Sequence, residues 1–467
     1  MSEIIEYFSL QYECHVCLLQ FTELKSLRRH YLSVEGLSYP SSKSKFYNKK
    51  TKKYVSKALS KSKNNVQFVK ACVSCCSHFS TIEELGRHMQ TSHEPKTHPE
   101  LERSFLRLNN VNKWVLSTGK VVEDTLYNFS KNSLVDHPSS SFILDVEDQT
   151  YLKHGIFTES EMEEIKNENA VSITVPIPIE LRDYLNSFNC NTTRQIRQSL
   201  AKRQHWEVDY DINIHHDFDW VKHAIYTLVR EYESKSLSSS KKELWYNIHI
   251  WSFIDRLFDD IPALEVVRSE AMSAASTKRK NATRVIGSLE PLERRMIGYK
   301  CDFLVRDTTS EHEESLEYGA GEVGIKYEQK GTKLMTEGSV KLPKVLKDML
   351  DQLILKNKDY KNIQSFGIVH SGLTMQLITA DRPYQYITRI TRGKELKIPS
   401  DVASFGDSVL PVLVQVWQLK QHILNVQNKI MSPSNTKQND SHWLDDCLTK
   451  GDNYIIPQTS NSTEYTA

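Results

Sequence analysis

The sequence has little excess charge, no long apolar run and no basic residue at its N-terminus. Its 467 residues include 60 Lys and Arg against 59 Asp and Glu, so any affinity for nucleic acid has to be local. The longest apolar stretch, Val409–Trp417, is far shorter than the roughly 20 residues that span a bilayer. Met1–Cys14 contains three glutamates and no lysine or arginine, which is unlike a secretory signal. We therefore expect a soluble, intracellular protein with no membrane partner.

Cysteine is informative because of its spacing. Four of the eight cysteines form two C-x2-C pairs, Cys14 with Cys17 and Cys72 with Cys75. In a chain without a secretory signal, such pairs indicate metal or redox chemistry and not a disulfide framework.

The second pair continues into a complete zinc-ligand pattern. His88 follows Cys75 after twelve residues and His93 follows after four more, with Phe79 and Leu85 at the two apolar positions. Two cysteines from a hairpin and two histidines from one helix face supply the tetrahedral set that zinc prefers. Zinc binding of about 10–16 kcal/mol would fold a unit whose apolar core is so small. The segment resembles a C2H2 zinc finger, which implies a ββα fold with Cys72, Cys75, His88 and His93 as the ligands.

The first pair is a degenerate copy of the second. Cys14 and Cys17 are followed by Phe21, Leu27 and His30 at matching distances, but Val34 and Glu35 stand where the fourth ligand is expected. Glu35 or water could complete the site, and sites with an open position are catalytic elsewhere. The finger-like Phe and Leu favour a structural site that has lost a ligand.

The base-reading positions of a finger helix are −1, 3 and 6. In the second unit these are Thr81, Glu84 and Arg87. One arginine could contact a guanine, whereas Glu84 would face a phosphate backbone. Because about 40 residues separate the two units, they cannot read adjacent triplets. We expect weak sequence reading, with an RNA- or protein-binding finger as the alternative.

The segment between the two units is strongly basic. No acidic residue occurs from Gly36 to Thr81, and lysines cluster at Lys49, Lys50, Lys52 and Lys53. This composition is typical of a disordered linker that binds phosphates with salt-sensitive affinity and serves in nuclear import, or that only adds solubility. We expect a nuclear protein that binds nucleic acid or a protein partner.

Composition and periodicity predict a multidomain protein, with small ββα zinc fingers and a C-terminal mixed α/β domain whose sheet is flanked by helices. The expected divisions are a finger-like unit at 1–36, a basic linker at 37–67, a finger at 68–97, a mixed helical region at 98–240, an α/β domain at 241–430 and a disordered tail at 431–467.

Three acidic residues stand out in the α/β segment. Glu270 falls in a stretch predicted to be a helix, Asp302 in a predicted strand and Glu322 in the next strand. Converging carboxylates suit a hard divalent cation. The arrangement resembles the PD-(D/E)XK nuclease fold, and the resemblance implies Mg²⁺ binding by these residues and activation of water, with a lysine two residues after Glu322.

The sequence departs from that pattern at the lysine. Position 324 is Gly324, and the next lysine on the same face of the strand is Lys326, about 13 Å from Glu322 along the strand. Cys301 replaces the usual proline before Asp302. An active magnesium-dependent nuclease, a decayed nuclease-like domain and an unrelated α/β domain therefore all stay open.

Three short segments, at 114–120, 141–145 and 369–373, resemble uncharacterised, lineage-expanded proteins of early-diverging fungi. That resemblance implies no activity. The sequence as a whole favours a zinc-binding finger protein. The alternatives are a nuclease of mobile-element or defence type and a protein-interaction adaptor, and a divalent-metal-dependent nuclease is the most that is expected of it as an enzyme.

Overall fold

The computed structural model describes most of the chain beyond residue 98 and, before it, four short strands. The described ranges are 99–133, 136–170, 175–282, 294–308, 315–324, 337–357, 361–431 and 456–460, together with the strands β1 (Tyr12–Glu13), β2 (Gln20–Phe21), β3 (Lys70–Ala71) and β4 (His78–Phe79). Two compact units are distinguished. The N-terminal unit contains β1–β4, and the C-terminal unit contains Glu100–Ser130 and Pro138–Ser460.

The C-terminal unit alternates helices with strands. Its helices are α1 (Pro99–Leu106), α2 (Val122–Lys131), α3 (Gln149–Lys153), α4 (Glu159–Asn167), α5 (Ile179–Asn186), α6 (Thr193–Ala201), α7 (Ile212–Glu233), α8 (Glu243–His249), α9 (Ala274–Lys280), α10 (Leu342–Asn357) and α11 (Phe405–Met431). Its strands are β5 (Ile143–Asp145), β6 (Leu264–Met272), β7 (Lys300–Asp307), β8 (Glu317–Gly324), β9 (Ser365–Ser371), β10 (Thr374–Asp381), β11 (Thr388–Arg392) and β12 (Leu396–Lys397).

In the described part of the chain, these strands form one mixed sheet in the order β5-β11-β10-β9-β8-β7-β6, with β12 paired to β10. β6, β7 and β8 form an antiparallel meander, and β9 returns parallel to β8 after α10. A parallel return requires such a crossover, and α10 supplies it. The predicted α/β domain with a helix-flanked sheet is therefore confirmed. β5, from the segment expected to be a mixed helical region, pairs parallel to β11 and joins the same sheet.

Sequence periodicity explains most of these elements. Apolar and β-branched residues at 303–305 and 377–379 favour strands and give β7 and β10. The apolar face of Leu342, Leu346, Met349 and Leu353 buries α10 against the sheet. Thr158 and Glu161 form a capping box at the start of α4.

The prediction of a helix through Glu270 is wrong, because this stretch forms β6. Charged residues from Arg268 onward suggested one exposed helix face, yet Val266 and Val267 favour a strand. The helix begins only at Ala274, where the side chain of Ser273 accepts a hydrogen bond from Ser276 N.

The apolar core has two parts. The larger one lies between the sheet and α5–α8, α10 and α11, and the smaller one joins α1–α4 to Tyr386 and Ile387. One helical stretch, Val402–Met431, is long and apolar enough to cross a bilayer by length and composition, and half of its most apolar window is buried inside the structure.

Candidate functional site

In the sequence, each of the two C-x2-C pairs falls between two short strands that pair with each other. β1 pairs with β2 through Tyr12 opposite Phe21, and β3 pairs with β4 through Lys70 opposite Phe79. Both are two-residue antiparallel ladders, and each brackets its cysteine pair in the connection between the strands. The two ladders therefore have the same register and the same sequence separation between their paired residues.

The remaining finger residues lie outside the described residues, so the ββα module itself stays a prediction. They include the expected zinc ligands, the base-reading positions and the lysines of the linker, namely Cys14, Cys17, His30, Cys72, Cys75, His88, His93, Thr81, Glu84, Arg87, Lys49, Lys50, Lys52 and Lys53.

Asp302 and Glu322 come together on neighbouring strands. β7 and β8 are antiparallel, with Phe303 opposite Gly321, so the beginning of β7 lies beside the end of β8. Asp302 Oδ2 accepts a hydrogen bond of 2.6 Å from the backbone N–H of Val323, the residue after Glu322. The two acidic positions thus meet at one end of the sheet.

Glu270 reaches the same level of the sheet from β6. Arg268 is opposite Phe303 and Ala271 is opposite Cys301, so two residues of β6, Ser269 and Glu270, stand opposite Asp302 alone. This extra residue is a β-bulge, a feature common next to active sites. The backbone positions of Glu270, Asp302 and Glu322 therefore lie side by side on three adjacent strands.

Glu322 is a buried carboxylate, only 2% exposed. Lys341 Nζ lies 2.9 Å from Glu322 Oε1 and compensates its charge. Lys341 closes a single π-helical turn, Glu337–Lys341, that leads directly into α10. Burial and the carboxylate of Glu322 raise the pKa of the neighbouring Cys301 thiol, which keeps this thiol protonated.

The cation beside Glu322 comes from an element that the sequence pattern does not point to. β8 ends at Gly324, and Lys326 lies outside the described residues. The cation beside Glu322 comes instead from Lys341, after β8 and before α10. Sequence reasoning missed it because nothing in the local pattern marks it, and only the crossover of α10 brings it back to β8.

A polar cleft opens beside this cluster. Val369, which is paired with Glu322 across β8 and β9, is part of its wall. The cleft measures about 160 Å³ and is also lined by Gly338, Ser371, Gln376 and Arg392. The Arg392 guanidinium donates to the carbonyl oxygen of Gly338 at 3.0 Å and to Asp145 at 2.7 Å, which fixes the cationic wall in place.

A second cluster brings His216, Asp217 and Asp260 together, with their ligand atoms within 4.8 Å of one another. His215, His216 and Asp217 lie in the first two turns of α7. The helix is capped one turn earlier, where the Asp211 side chain accepts a hydrogen bond from Asn213 N.

The ammonium of Lys420 already sits inside this second cluster. Its Nζ donates to Asp217 at 2.7 Å and to Asp260 at 2.7 Å, and lies 3.2 Å from His216 Nδ1. A metal ion would have to displace this lysine, so the cluster behaves as a buried ion-pair network that joins α7 to α11.

Comparison with known proteins gives no relative from which a role could be transferred: no protein-family model, no curated protein and no solved structure matches this chain.

Proposed function

We propose that this chain is a zinc-binding finger protein that binds nucleic acid through the finger at 68–97 and the lysine-rich linker before it. The observation that carries the proposal is the repeated hairpin, in which Lys70 pairs with Phe79 around Cys72 and Cys75 as Tyr12 pairs with Phe21 around the first cysteine pair. In the sequence both cysteines fall between the two paired strands, which is where a zinc knuckle has its cysteine ligands.

The distribution of charge supports nucleic acid as the partner. The chain is nearly neutral overall, yet the stretch from Gly36 to Thr81 carries lysines and no acidic residue. A basic segment tethered to a small folded unit binds phosphates by releasing counterions, and this binding weakens steeply with salt. Such a chain would act in the nucleus, where both a finger and a basic linker find their ligand.

The test combines zinc content with binding to duplex DNA. Wild-type chain is expected to hold zinc and to bind DNA with a modest salt slope. Cys75→Ala should lose zinc and weaken binding, whereas the matched control Cys76→Ala, one residue further along, should keep both. Replacing Lys49, Lys50, Lys52 and Lys53 with Gln should make the DNA affinity depend less steeply on salt concentration while zinc stays bound. Loss of zinc with unchanged DNA binding would contradict the proposal.

A protein partner is the alternative for the same finger. Glu84 occupies a base-reading position, where a carboxylate repels phosphate. Glu84→Lys should therefore strengthen DNA binding if nucleic acid is the ligand. A finger that binds a protein would show zinc dependence without retention on DNA, and Glu84→Lys would not increase its affinity for DNA.

The α/β unit supports a second candidate function, a magnesium-dependent nuclease. The specific observation is the meeting of Asp302 and Glu322 at one end of β7 and β8, with Lys341 beside Glu322. Two carboxylates on adjacent strands could hold Mg²⁺, and a lysine within reach could stabilise an attacking hydroxide. In this proposal Lys341 takes the role that Gly324 cannot fill.

Plasmid cleavage with Mg²⁺ or Mn²⁺ tests this second candidate. Asp302→Asn, Glu322→Gln and Lys341→Met are each expected to abolish cutting. Glu265→Gln is the matched control, because Glu265 lies at the opposite end of β6, 42% exposed and paired with Arg306. If Glu322→Gln cuts like the parent, Glu322 is not a metal ligand. If the Glu265→Gln control also loses activity, the losses are not specific to the carboxylate cluster, and they do not support the nuclease assignment.

A further inference from the structure

A short piece of the C-terminal tail lies against the α/β unit. α11 ends at Met431, and residues 456–460 form a short described segment outside any helix or strand. Pro457 and Thr459 are buried while Gln458 between them is exposed, which is the alternation of an extended peptide lying on a surface. The composition of the tail predicted disorder throughout, so this docking is a finding of the structure.

The backbone of the segment is held by two cations of the unit. Lys347 Nζ, on α10, donates to the carbonyl oxygen of Pro457 at 2.6 Å. Arg279 of α9 donates through Nη1 to the carbonyl oxygen of Thr459 at 3.0 Å. Charge-assisted hydrogen bonds of this kind are stronger than neutral ones and would accept any peptide that presents carbonyl groups at this spacing.

Side chains add selectivity to this recognition. The Thr459 hydroxyl donates to Asp348 Oδ1 at 2.5 Å. Ser141 Oγ accepts from the backbone N–H of Ser460 at 2.9 Å, and the Ser460 hydroxyl lies 2.8 Å from Ser140 Oγ. The site therefore selects a hydroxyl-bearing residue at the position of Thr459 and also binds the carbonyl oxygen of the proline two residues before it.

The floor of the docking cleft is charged and buried. Lys347 and Asp348 are 0% and 2% exposed, and Lys347 also donates to Asp351 at 2.6 Å. Buried charges need hydrogen-bonding partners, and the tail supplies a carbonyl to the ammonium and a hydroxyl to the carboxylate. Among the described residues, neither apolar core includes a side chain of 456–460. The contacts described for the segment are hydrogen bonds to charged and hydroxyl side chains, as in a bound ligand.

We propose that the cleft formed by α9, α10 and the turn at 138–141 is a peptide-binding site, and that its ligand is the chain's own segment 456–460. Because residues 432–455 connect this ligand covalently to α11, binding is intramolecular, and a weak intrinsic affinity is enough to fill the site. The segment exchanges with a free peptide of the same sequence.

The test uses the full chain with a protease recognition sequence placed in 432–455 and cut after folding. Mass spectrometry after dialysis is expected to show that the released fragment leaves while circular dichroism stays unchanged. The nicked chain should then bind a labelled peptide with the sequence of residues 452–463, and the uncut chain should bind it at least about tenfold more weakly because the tethered segment competes.

Peptide variants define the recognition. Thr459→Val in the peptide should weaken binding about tenfold or more, because it removes a hydrogen bond to a carboxylate. Gln458→Ala is the matched control and should bind like the parent peptide, since Gln458 is exposed. Retention of the fragment through dialysis, unfolding of the nicked chain, or equal binding of all peptides would each overturn the proposal.

Hydrogen exchange on the uncut wild-type chain provides a measurement that needs no variant. The Ser460 amide donates to Ser141 Oγ, so it should exchange more slowly than in the free peptide. An unprotected amide would contradict docking. A dimeric uncut chain in light scattering would mean that a second copy supplies the segment, which would refute the assignment to the same chain.

Discussion

Replacing Lys420 tests whether its ammonium group stabilises the cluster of His216, Asp217 and Asp260, or whether the cluster is a metal-binding site. The Lys420 side chain is 2% exposed, and its two carboxylate partners are 26% and 14% exposed. Removing one member of a buried ion pair costs about 3–5 kcal/mol. Because both carboxylates keep some contact with water, we expect Lys420→Ala to lower the free energy of unfolding by about 3 kcal/mol, at the lower end of that range.

The effect should depend on pH in a defined direction. Burial raises the pKa of Asp217, but the hydrogen bond with His216 and the charge of Lys420 lower it more, so the folded-state pKa lies below its ordinary value. A carboxyl group with a lowered folded-state pKa stabilises the fold above its unfolded pKa of about 4, and this contribution is lost as the pH falls. The difference between wild type and Lys420→Ala should therefore be largest near neutral pH and shrink below about pH 4.

Chemical denaturation followed by far-UV circular dichroism measures both effects, with Lys429→Ala as the matched control. Lys429 lies on the same helix and contacts only the Asn362 carbonyl among the hydrogen bonds described for it. Lys420→Ala also leaves three ligand atoms around an open position. Zinc at about 100 times its dissociation constant should then restore roughly 2.7 kcal/mol in this variant beyond any gain in wild type. Equal stability of wild type and Lys420→Ala, or equal stabilisation of both by zinc, would refute the reasoning.

Three further substitutions have defined outcomes in equilibrium unfolding. Burial raises the pKa of Glu123 to about 7, so ionisation of this carboxyl group destabilises the fold. The Glu123→Gln variant should therefore be more stable than wild type by about 3 kcal/mol at pH 8, and close to wild type in stability at pH 4.5. Arg389→Met leaves the buried Asp381 carboxylate without its bidentate partner and should cost about 3–5 kcal/mol, whereas adding Asp381→Leu should recover part of that loss. A Cβ at Gly321 would lie 1.9 Å from the Phe303 ring, so Gly321→Ala should destabilise by about 1–3 kcal/mol and Phe303→Leu in the same chain should relieve it.

Local sequence patterns predicted those parts of the fold that depend on neighbouring residues. Apolar and β-branched residues mark β7 and β10, an apolar stripe marks α10, and Thr158 with Glu161 marks the start of α4. These signals come from periodicity and capping, which act within one element.

Long-range pairing decided what the sequence could not predict. The charged residues from Arg268 onward favour a helix, whereas pairing with β7 makes Leu264–Met272 a strand. Lys341 reaches Glu322 only because α10 crosses over from β8 to β9. The docking of Thr459 on Asp348 joins residues far apart in sequence, and no local pattern marks it.

The candidate carboxylate site was predicted in part for the same reason. Asp302 and Glu322 each stand in a recognisable strand, and the meander of β7 and β8 brings them together. Glu270 reaches the same level of the sheet from a strand and not from the expected helix. Lys341, which compensates the charge of Glu322, could be identified only from the tertiary structure.

Counting zinc per chain by elemental analysis, in wild type and in the Cys75→Ala and Cys76→Ala variants purified in parallel, tests the central claim most directly. A finger at 68–97 predicts one zinc per wild-type chain, which the Cys76→Ala variant retains and the Cys75→Ala variant loses. A wild-type chain without zinc, or a Cys75→Ala chain that keeps it, would contradict the assignment of the finger at 68–97 and with it the proposed function.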